Sequence, residues 1–400
     1  MSAEMLTVSG VRLASVAAGI RYTDRDDLVL IELPEAATAA ATFTRNAFCA
    51  APVIVAREHL AKRAPRYLLI NAGNANAGTG ERGLADARAT CEALAGLAGC
   101  DVDQILPFST GVIGEYLPVE RITVRLSQAL SSLRESGWEA ASRAIMTTDT
   151  VPKTALRRFE IDGRTATVVG IAKGAGMIRP NMATMLAFMA TDAAVEAVAL
   201  RQCLQRAVDQ SFNCISIDGD TSTNDACVLC ASGLLGNSPI EPSMGVETAS
   251  LQQAVDAVCA DLATAIVRDG EGATKLVSVE VNAAASAGEA RAVADAIAHS
   301  PLVKTALFAS DPNWGRILAA VGRAGIDQLD IDRVRIWLDD CLIVSGGGRD
   351  HEYQEAEGRR VMAKASFAIR VALGRGNAQA RVLTCDLSCD YVRINAEYRT

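Results

Sequence analysis

Residues 168–193 read VVGIAKGAGMIRPNMATMLAFMATDA, and chemistry is best sought there first. An apolar run enters a Gly-rich turn, Pro180 and Asn181 interrupt it, and Ala183-Thr184 opens a second apolar run over 185–189. Thr184 has two readings. A β-branched residue suits the first position of a strand. Alternatively, a chain cut just before Thr184 frees an α-amine within reach of the residue's own Oγ, which supplies the base that a weak hydroxyl nucleophile needs. With a pKa of about 7.7 to 8.0, that amine stays partly neutral near pH 7, so such a site works without histidine. The cut would be an attack by Thr184 Oγ on the Ala183 carbonyl, resolved by water, and a small residue at 183 leaves room for the tetrahedral intermediate.

The other familiar constellations fail. The three histidines, His59, His299 and His351, sit in no HExxH and beside no GxSxG, which argues against a Ser-His-Asp hydrolase. Asp218, Asp220 and Ser222 imitate the start of a calcium loop, but Thr223 stands at its sixth position instead of Gly and Leu229 at its twelfth instead of Glu. Gly174 and Gly176 form a GxG with no following GKS or GKT, which reads as a tight turn. Cys227 and Cys230 make a CxxC and Cys385 and Cys389 a CxxxC, both without histidine neighbours. The 11 cysteines read as small buried hydrophobes of a reducing cytosol, and no metal is expected.

What must position Thr184 is a mixed α/β scaffold. Runs rich in Val, Ile and Leu predict strands over 28–33, 67–70, 165–171 and 276–281. Ala-rich stretches of helical spacing predict helices over 83–97, 195–208, 249–267 and 289–299. Helices and strands come in blocks, which favours a layered α+β fold over a doubly wound parallel sheet. A composition shift near Ser300 predicts a catalytic domain over 1–299 and a C-terminal α/β subdomain over 300–400. The alternation Tyr391-Val392-Arg393-Ile394 predicts a final strand.

Composition narrows the partners. With 39 Lys and Arg against 47 Asp and Glu the net charge is −8, and aromatic residues make up 4%. That leaves neither the basic footprint nor the stacking platforms of a nucleic-acid binder. No apolar run reaches the roughly 20 residues of a bilayer span, and the start MSAEMLTVSGVRL has no basic and apolar signal pattern. A cytoplasmic enzyme acting on small molecules is expected.

The chain resembles the ornithine acetyltransferases, the glutamate N-acetyltransferases of arginine biosynthesis. The likeness runs from RDDLVL near the start to YVRINAEYRT at the end. It centres on KGAGMIRPNMATMLAFMATDA, with NAGNANAGTG, STGVIG, IMTTDTVPK, SIDGDTSTND, DGEGATK and SDPNWGRI in order. It implies a layered α/β/β/α sandwich of the DmpA and ornithine acetyltransferase type, with a smaller C-terminal part. It also implies self-cleavage between Ala183 and Thr184 into chains 1–183 and 184–400 that stay associated, with dimers of such pairs expected. Thr184 then carries the acetyl group in a ping-pong exchange from N-acetylornithine to glutamate, and some members also use acetyl-CoA as donor. No metal or organic cofactor is implied.

By the same resemblance Thr110 and Gly111 form an oxyanion hole, and Thr150, Lys173, Glu271, Asn395 and Thr400 join Thr184 in substrate binding. A self-processing aminopeptidase or amidase of the same fold is the alternative, separated from a transferase by whether an amine or water takes the acyl group.

Overall fold

A computed structural model describes residues 6–179, 185–242 and 245–397. Ala183, Thr184 and Thr400 lie outside them. The described chain forms two compact units, one from residues 6–177, 185–213 and 220–266, the other from 178–179, 214–219 and 267–397.

The first unit holds two sheets. One has the order β1 (Arg12–Val16), β2 (Leu28–Glu32), β4 (Tyr67–Asn74), β5 (Ile105–Val112), with the β4–β5 pair parallel and the others antiparallel. The second runs β3 (Thr38–Phe43), β10 (Ala226–Ala231), β8 (Leu186–Thr191), β7 (Arg164–Lys173), β6 (Lys153–Ile161). Alternate residues of both sheets meet in one core: Val29, Ile31, Ile70 and Phe108 from the first, Val169, Ile171, Phe188 and Val228 from the second. The Phe108 and Phe188 rings pack edge to face, centroids 5.1 Å apart.

The other faces carry helices. Leu28, Leu30 and Leu69 pack under α1 (Ala51–Lys62), α2 (Gly80–Ala98), α3 (Val119–Thr123) and α4 (Leu126–Ser131) through Val55, Cys91, Leu94, Ile122 and Leu126. α5 (Trp138–Ala144) sends Trp138 into the core between the sheets. On the second sheet lie α6 (Ala197–Gln210) and α7 (Val246–Arg268). A Cβ at Gly170 would come within 2.8 Å of Val258 and 3.0 Å of Leu262, so α7 rides directly on the sheet. The sequence of layers is α/β/β/α, as expected.

Cys227 and Cys230 show why a CxxC on a strand is no metal site. Residues three apart point to opposite faces, and Cys230 joins the core between the sheets while Cys227 does not.

The second unit is built on one sheet of order β14 (Gly348–Arg349), β13 (Cys341–Ser345), β12 (Arg335–Leu338), β15 (Ser366–Ala372), β11 (Leu276–Ala284), β16 (Ala378–Cys385), β9 (Ile215–Ser216). Val277, Val279 and Val281 bury one face of β11 with Val293 and Ile297 of α8 (Ala287–Ala298). Leu307 of α9 (Pro301–Phe308), Val321 of α10 (Trp314–Gly322) and Val361 of α11 (Glu355–Met362) complete that core. This unit begins earlier than residue 300, because β11 pairs with both β15 and β16 and cannot be separated from them.

One predicted element changes type. Residues 391–394 lie in a helix, α12 (Cys389–Glu397), not a strand. Four alternating residues fit either period. Here no residue of α12 is buried, the Tyr391 amide points to Ser388 Oγ at 3.4 Å, and Arg393 reaches back to Asp390 at 2.9 Å.

Candidate functional site

Thr110 and Gly111 lie inside β5 rather than in a turn after it. Their surroundings are shaped by close backbone contact. Gly111 has φ 136° and its neighbour across the pair, Gly73, has φ 100°. A Cβ on Gly111 would stand 2.2 Å from the Gly73 carbonyl carbon, so no other residue fits. The register slips beside this contact, with Asn74 opposite both Thr110 and Val112. Side chains of NAGNANAGTG hold the irregularity. Ser109 Oγ donates to Asn71 Oδ1 at 2.6 Å, Asn71 Nδ2 to the Asn74 carbonyl at 2.8 Å, and the Asn76 amide to Asn74 Oδ1 at 2.8 Å. Such bulges re-aim groups near active sites, and buried Thr110 stands at this one.

The turn 222–225, set aside as a failed calcium loop, joins the two sheets. Asn224 Nδ2 donates to the carbonyls of Ala75 at 2.7 Å and Ser109 at 2.9 Å, the latter just before Thr110. Thr223 Oγ1 donates to Asn224 Oδ1 at 2.5 Å. Asp225 Oδ1 accepts from the Met185 amide at 2.9 Å, while the Ala226 amide donates to the Met185 carbonyl at 3.1 Å. Met185 directly follows Thr184 in the chain. Burial pushes the Asp225 carboxyl well above the carboxylate range, more than the Met185 amide, the Lys173 charge and Ser222 pull it down.

A second buried carboxylate lies near Lys173, the last residue of β7. Asp149 Oδ1 accepts from Lys153 Nζ at 2.7 Å and from the Gly174 amide at 2.7 Å, and Oδ2 from the Thr147 amide at 3.0 Å. Burial alone would raise its pKa, but the charges of Lys173 and Lys153 and the Gly174 amide outweigh it and hold it at about 2. Lys173 itself is buried, and Thr150, beside Asp149, is exposed.

Glu271 and Asn395 belong to the second unit, which brings them together. Asn395 Nδ2 donates to Glu271 Oε2 at 2.7 Å and to the Tyr391 carbonyl at 3.0 Å. The turn after Glu271 passes close to α12: at Gly272, φ 68°, a Cβ would lie 2.7 Å from the Tyr391 amide nitrogen. Tyr391 in turn donates to Asp218 Oδ2 at 3.4 Å, and Asp218 Oδ1 accepts from the Ile178 amide at 2.9 Å.

The sequence matches one family over residues 12–400, nearly its full length. The chain belongs to the ArgJ family. Its relatives include the arginine biosynthesis bifunctional protein ArgJ of Methylococcus capsulatus, 64% identical over 98% of this chain and 96% of that protein. The ArgJ of Pseudomonas fluorescens is 55% identical over 98% and 97%. Among solved structures, the ArgJ of Bacillus halodurans matches at 40% identity and a TM-score of 0.49, covering 51% of this chain and 95% of that one.

Asp149, Lys153, Asn224 and Asp225 lie against the candidate residues, and motif reading did not single them out. All four lie within the quoted segments IMTTDTVPK and SIDGDTSTND. The signal was an acidic residue four before a lysine, and an Asn-Asp pair ahead of a wholly apolar strand.

Proposed function

We propose that this protein is a self-processing glutamate N-acetyltransferase of arginine biosynthesis, with Thr184 as nucleophile. Membership of the ArgJ family makes it an acetyltransferase; the mechanism rests on geometry in the first unit. The observation that carries it is the facing of β5 and β8 across one core, through Phe108 and Phe188. Phe108 stands two residues before Thr110, and Phe188 four residues after Thr184.

In self-processing, Thr184 Oγ attacks the Ala183 carbonyl, the acyl group moves from nitrogen to oxygen, and water hydrolyses the ester. Ala183 becomes a carboxylate terminus and Thr184 gains a free amine. The fragments stay together for a physical reason. β8 follows the cut and lies between β7, which precedes it, and β10; Lys173 pairs with Leu186 and Ala226 also with Leu186. β3 of the first fragment likewise pairs with β10 of the second. Cleaving one peptide bond therefore leaves both interfaces hydrogen-bonded.

In transfer, the Thr184 amine takes the Oγ proton as Oγ attacks the acetyl carbonyl of N-acetylornithine. Thr110 Oγ1 and the Gly111 amide meet the developing oxyanion, a kind of contact worth roughly 3 to 4 kcal/mol of barrier. The amine then protonates the departing ornithine nitrogen. Glutamate attacks the acetyl ester, Thr184 Oγ recovers its proton, and N-acetylglutamate leaves. Lys173 and Thr150 are assigned to substrate carboxylate and polar groups, and Glu271, Asn395 and Thr400 to the rest of the substrate. The relatives are called bifunctional, which supports acetyl-CoA as a second donor. The scheme calls for no metal or organic cofactor.

Intact mass under denaturing conditions tests the scheme. The wild type should give two fragments meeting at 183/184, Thr184→Ala a single inactive chain. Acetylornithine alone should acetylate the heavier fragment, and glutamate should discharge it. A folded wild type that stays whole yet turns over would sink the assignment.

A further inference from the structure

We propose that Asn224 and Asp225 are the positioning residues of acyl transfer: they lock the main chain just after Thr184 in register with the strand that carries Thr110 and Gly111. The inference deepens the reading above and rests on Thr184 being the nucleophile.

Two adjacent side chains reach two different sheets. Asp225 Oδ1 accepts from the Met185 amide at 2.9 Å, and the Ala226 amide donates to the Met185 carbonyl at 3.1 Å, so both backbone polar groups of Met185 are fixed. Asn224 Nδ2 spends its hydrogens on the Ala75 and Ser109 carbonyls, at 2.7 and 2.9 Å. Thr223 Oγ1 occupies Asn224 Oδ1, which sets the orientation of the amide. The path from Thr184 to Thr110 therefore runs through Met185, Asp225, Asn224 and Ser109 by hydrogen bonds or chain bonds alone. A nucleophile must reach about 3 to 3.5 Å from the reacting carbon in line with its oxyanion donors, and a slip of about 1 Å costs about a hundredfold in rate.

A purely structural role accounts poorly for Asp225. It is 1% exposed, and its Oδ2 is buried with no hydrogen-bond partner among the described residues. An unsatisfied buried oxygen costs stability, and an apolar residue of like size would pack there at less cost. What an apolar residue cannot do is accept the Met185 amide.

The test uses the full chain with Asp225→Ala and Asp225→Asn. Fold is checked by circular dichroism, processing by intact mass, and the processed fraction by steady-state kinetics with acetylornithine and glutamate. Folded Asp225→Ala should cleave slowly and lose about tenfold or more in kcat, with KM shifted less than about threefold. Asp225→Asn keeps an acceptor at Oδ1 and should recover kcat to within about threefold of wild type. Wild-type kcat in folded Asp225→Ala, or a change carried by KM instead, overturns the proposal. So does an Asp225→Asn as impaired as Asp225→Ala, since that assigns a role to the acid itself. If Asp225→Ala does not fold, Asn224→Ser, which keeps one donor, must show the same kcat loss or the proposal fails. A wild type that never cleaves, or an active Thr184→Ala, instead strikes the nucleophile reading, whatever these variants do.

Discussion

Asp149 and Asp225 belong to the same unit, both are buried, and both feel the charge of Lys173, yet their carboxyls move in opposite directions. Asp149 is given donors on both oxygens, one of them a lysine ammonium at 2.7 Å. Asp225 is given one amide, on one oxygen; the other oxygen has no hydrogen-bond partner by distance and angle among the described residues, and Ser222 and the Lys173 charge do not offset the burial. Burial is common to the two and so cannot explain the difference; the count and charge of donors does. Asp149 is an ion held beside the proposed carboxylate-binding Lys173. Asp225 is a buried carboxyl, its pKa raised by burial, that holds backbone.

The contrast predicts unequal losses when each is made an amide. Asp149→Asn strips the negative charge from beside Lys153, whose side chain is 1% exposed. Breaking such a buried pair costs about 3 to 5 kcal/mol, to be read from urea unfolding of the processed protein. Asp225→Asn keeps an acceptor for the Met185 amide and leaves no buried ammonium without its hydrogen-bonded counter-charge, so it should cost less than about 1 kcal/mol. Equal losses would erase the distinction between ion and acid.

The pH dependence of stability sharpens the same comparison. The folded Asp149 carboxyl sits at about 2 against the ordinary 3.8. Its stabilisation is therefore present above pH 4 and lost as pH falls through 2, in total roughly 2 kcal/mol. Asp225 has the opposite sign. Its folded pKa is raised, so stability drains away as pH climbs from the unfolded value through the folded one. Asp149→Asn should flatten the acid limb alone, and Asp225→Asn the limb above it. Unfolding followed from pH 2 to 9 separates the two; a variant that flattens the wrong limb refutes its assignment.

How much of this could be read from the chain depended on whether a residue's role was local. The continuous apolar run of β2, the alternation of β11 and the helical spacing of α2, α6 and α8 gave those elements, because β2 is buried on both faces and the others bury one. Thr110 and Gly111 were found through the motif, but not the reason for the glycine, which is Gly73 lying against it from 38 residues away in sequence. Asp225 was passed over because its turn resembles a broken calcium loop locally, while its partner, Met185, is 40 residues off. The strand predicted at 391–394 went wrong for a related reason: four residues of alternation carry no information about a pairing partner. β9 takes the edge of β16, and α12 turns toward Glu271 instead.

A third carboxylate, Glu271, extends the comparison with the smallest expected effect. It shares features with both aspartates: like Asp225 it has a single hydrogen-bond donor among the described residues, here Asn395 Nδ2 at 2.7 Å, but like Asp149 it stands beside or within the set of residues proposed to bind substrate. The donor comes from an exposed residue of a terminal helix with no buried side chain. Removing it should therefore cost little in folding, about 1 kcal/mol or less. If the pair serves substrate, Asn395→Ala should raise KM for acetylornithine by about tenfold, the equivalent of one hydrogen bond to a charged group. Titration calorimetry with ornithine should show the same loss. A variant that melts several degrees earlier yet binds substrate as before would make Asn395 a brace for α12, and would leave Glu271 positioned by its own turn.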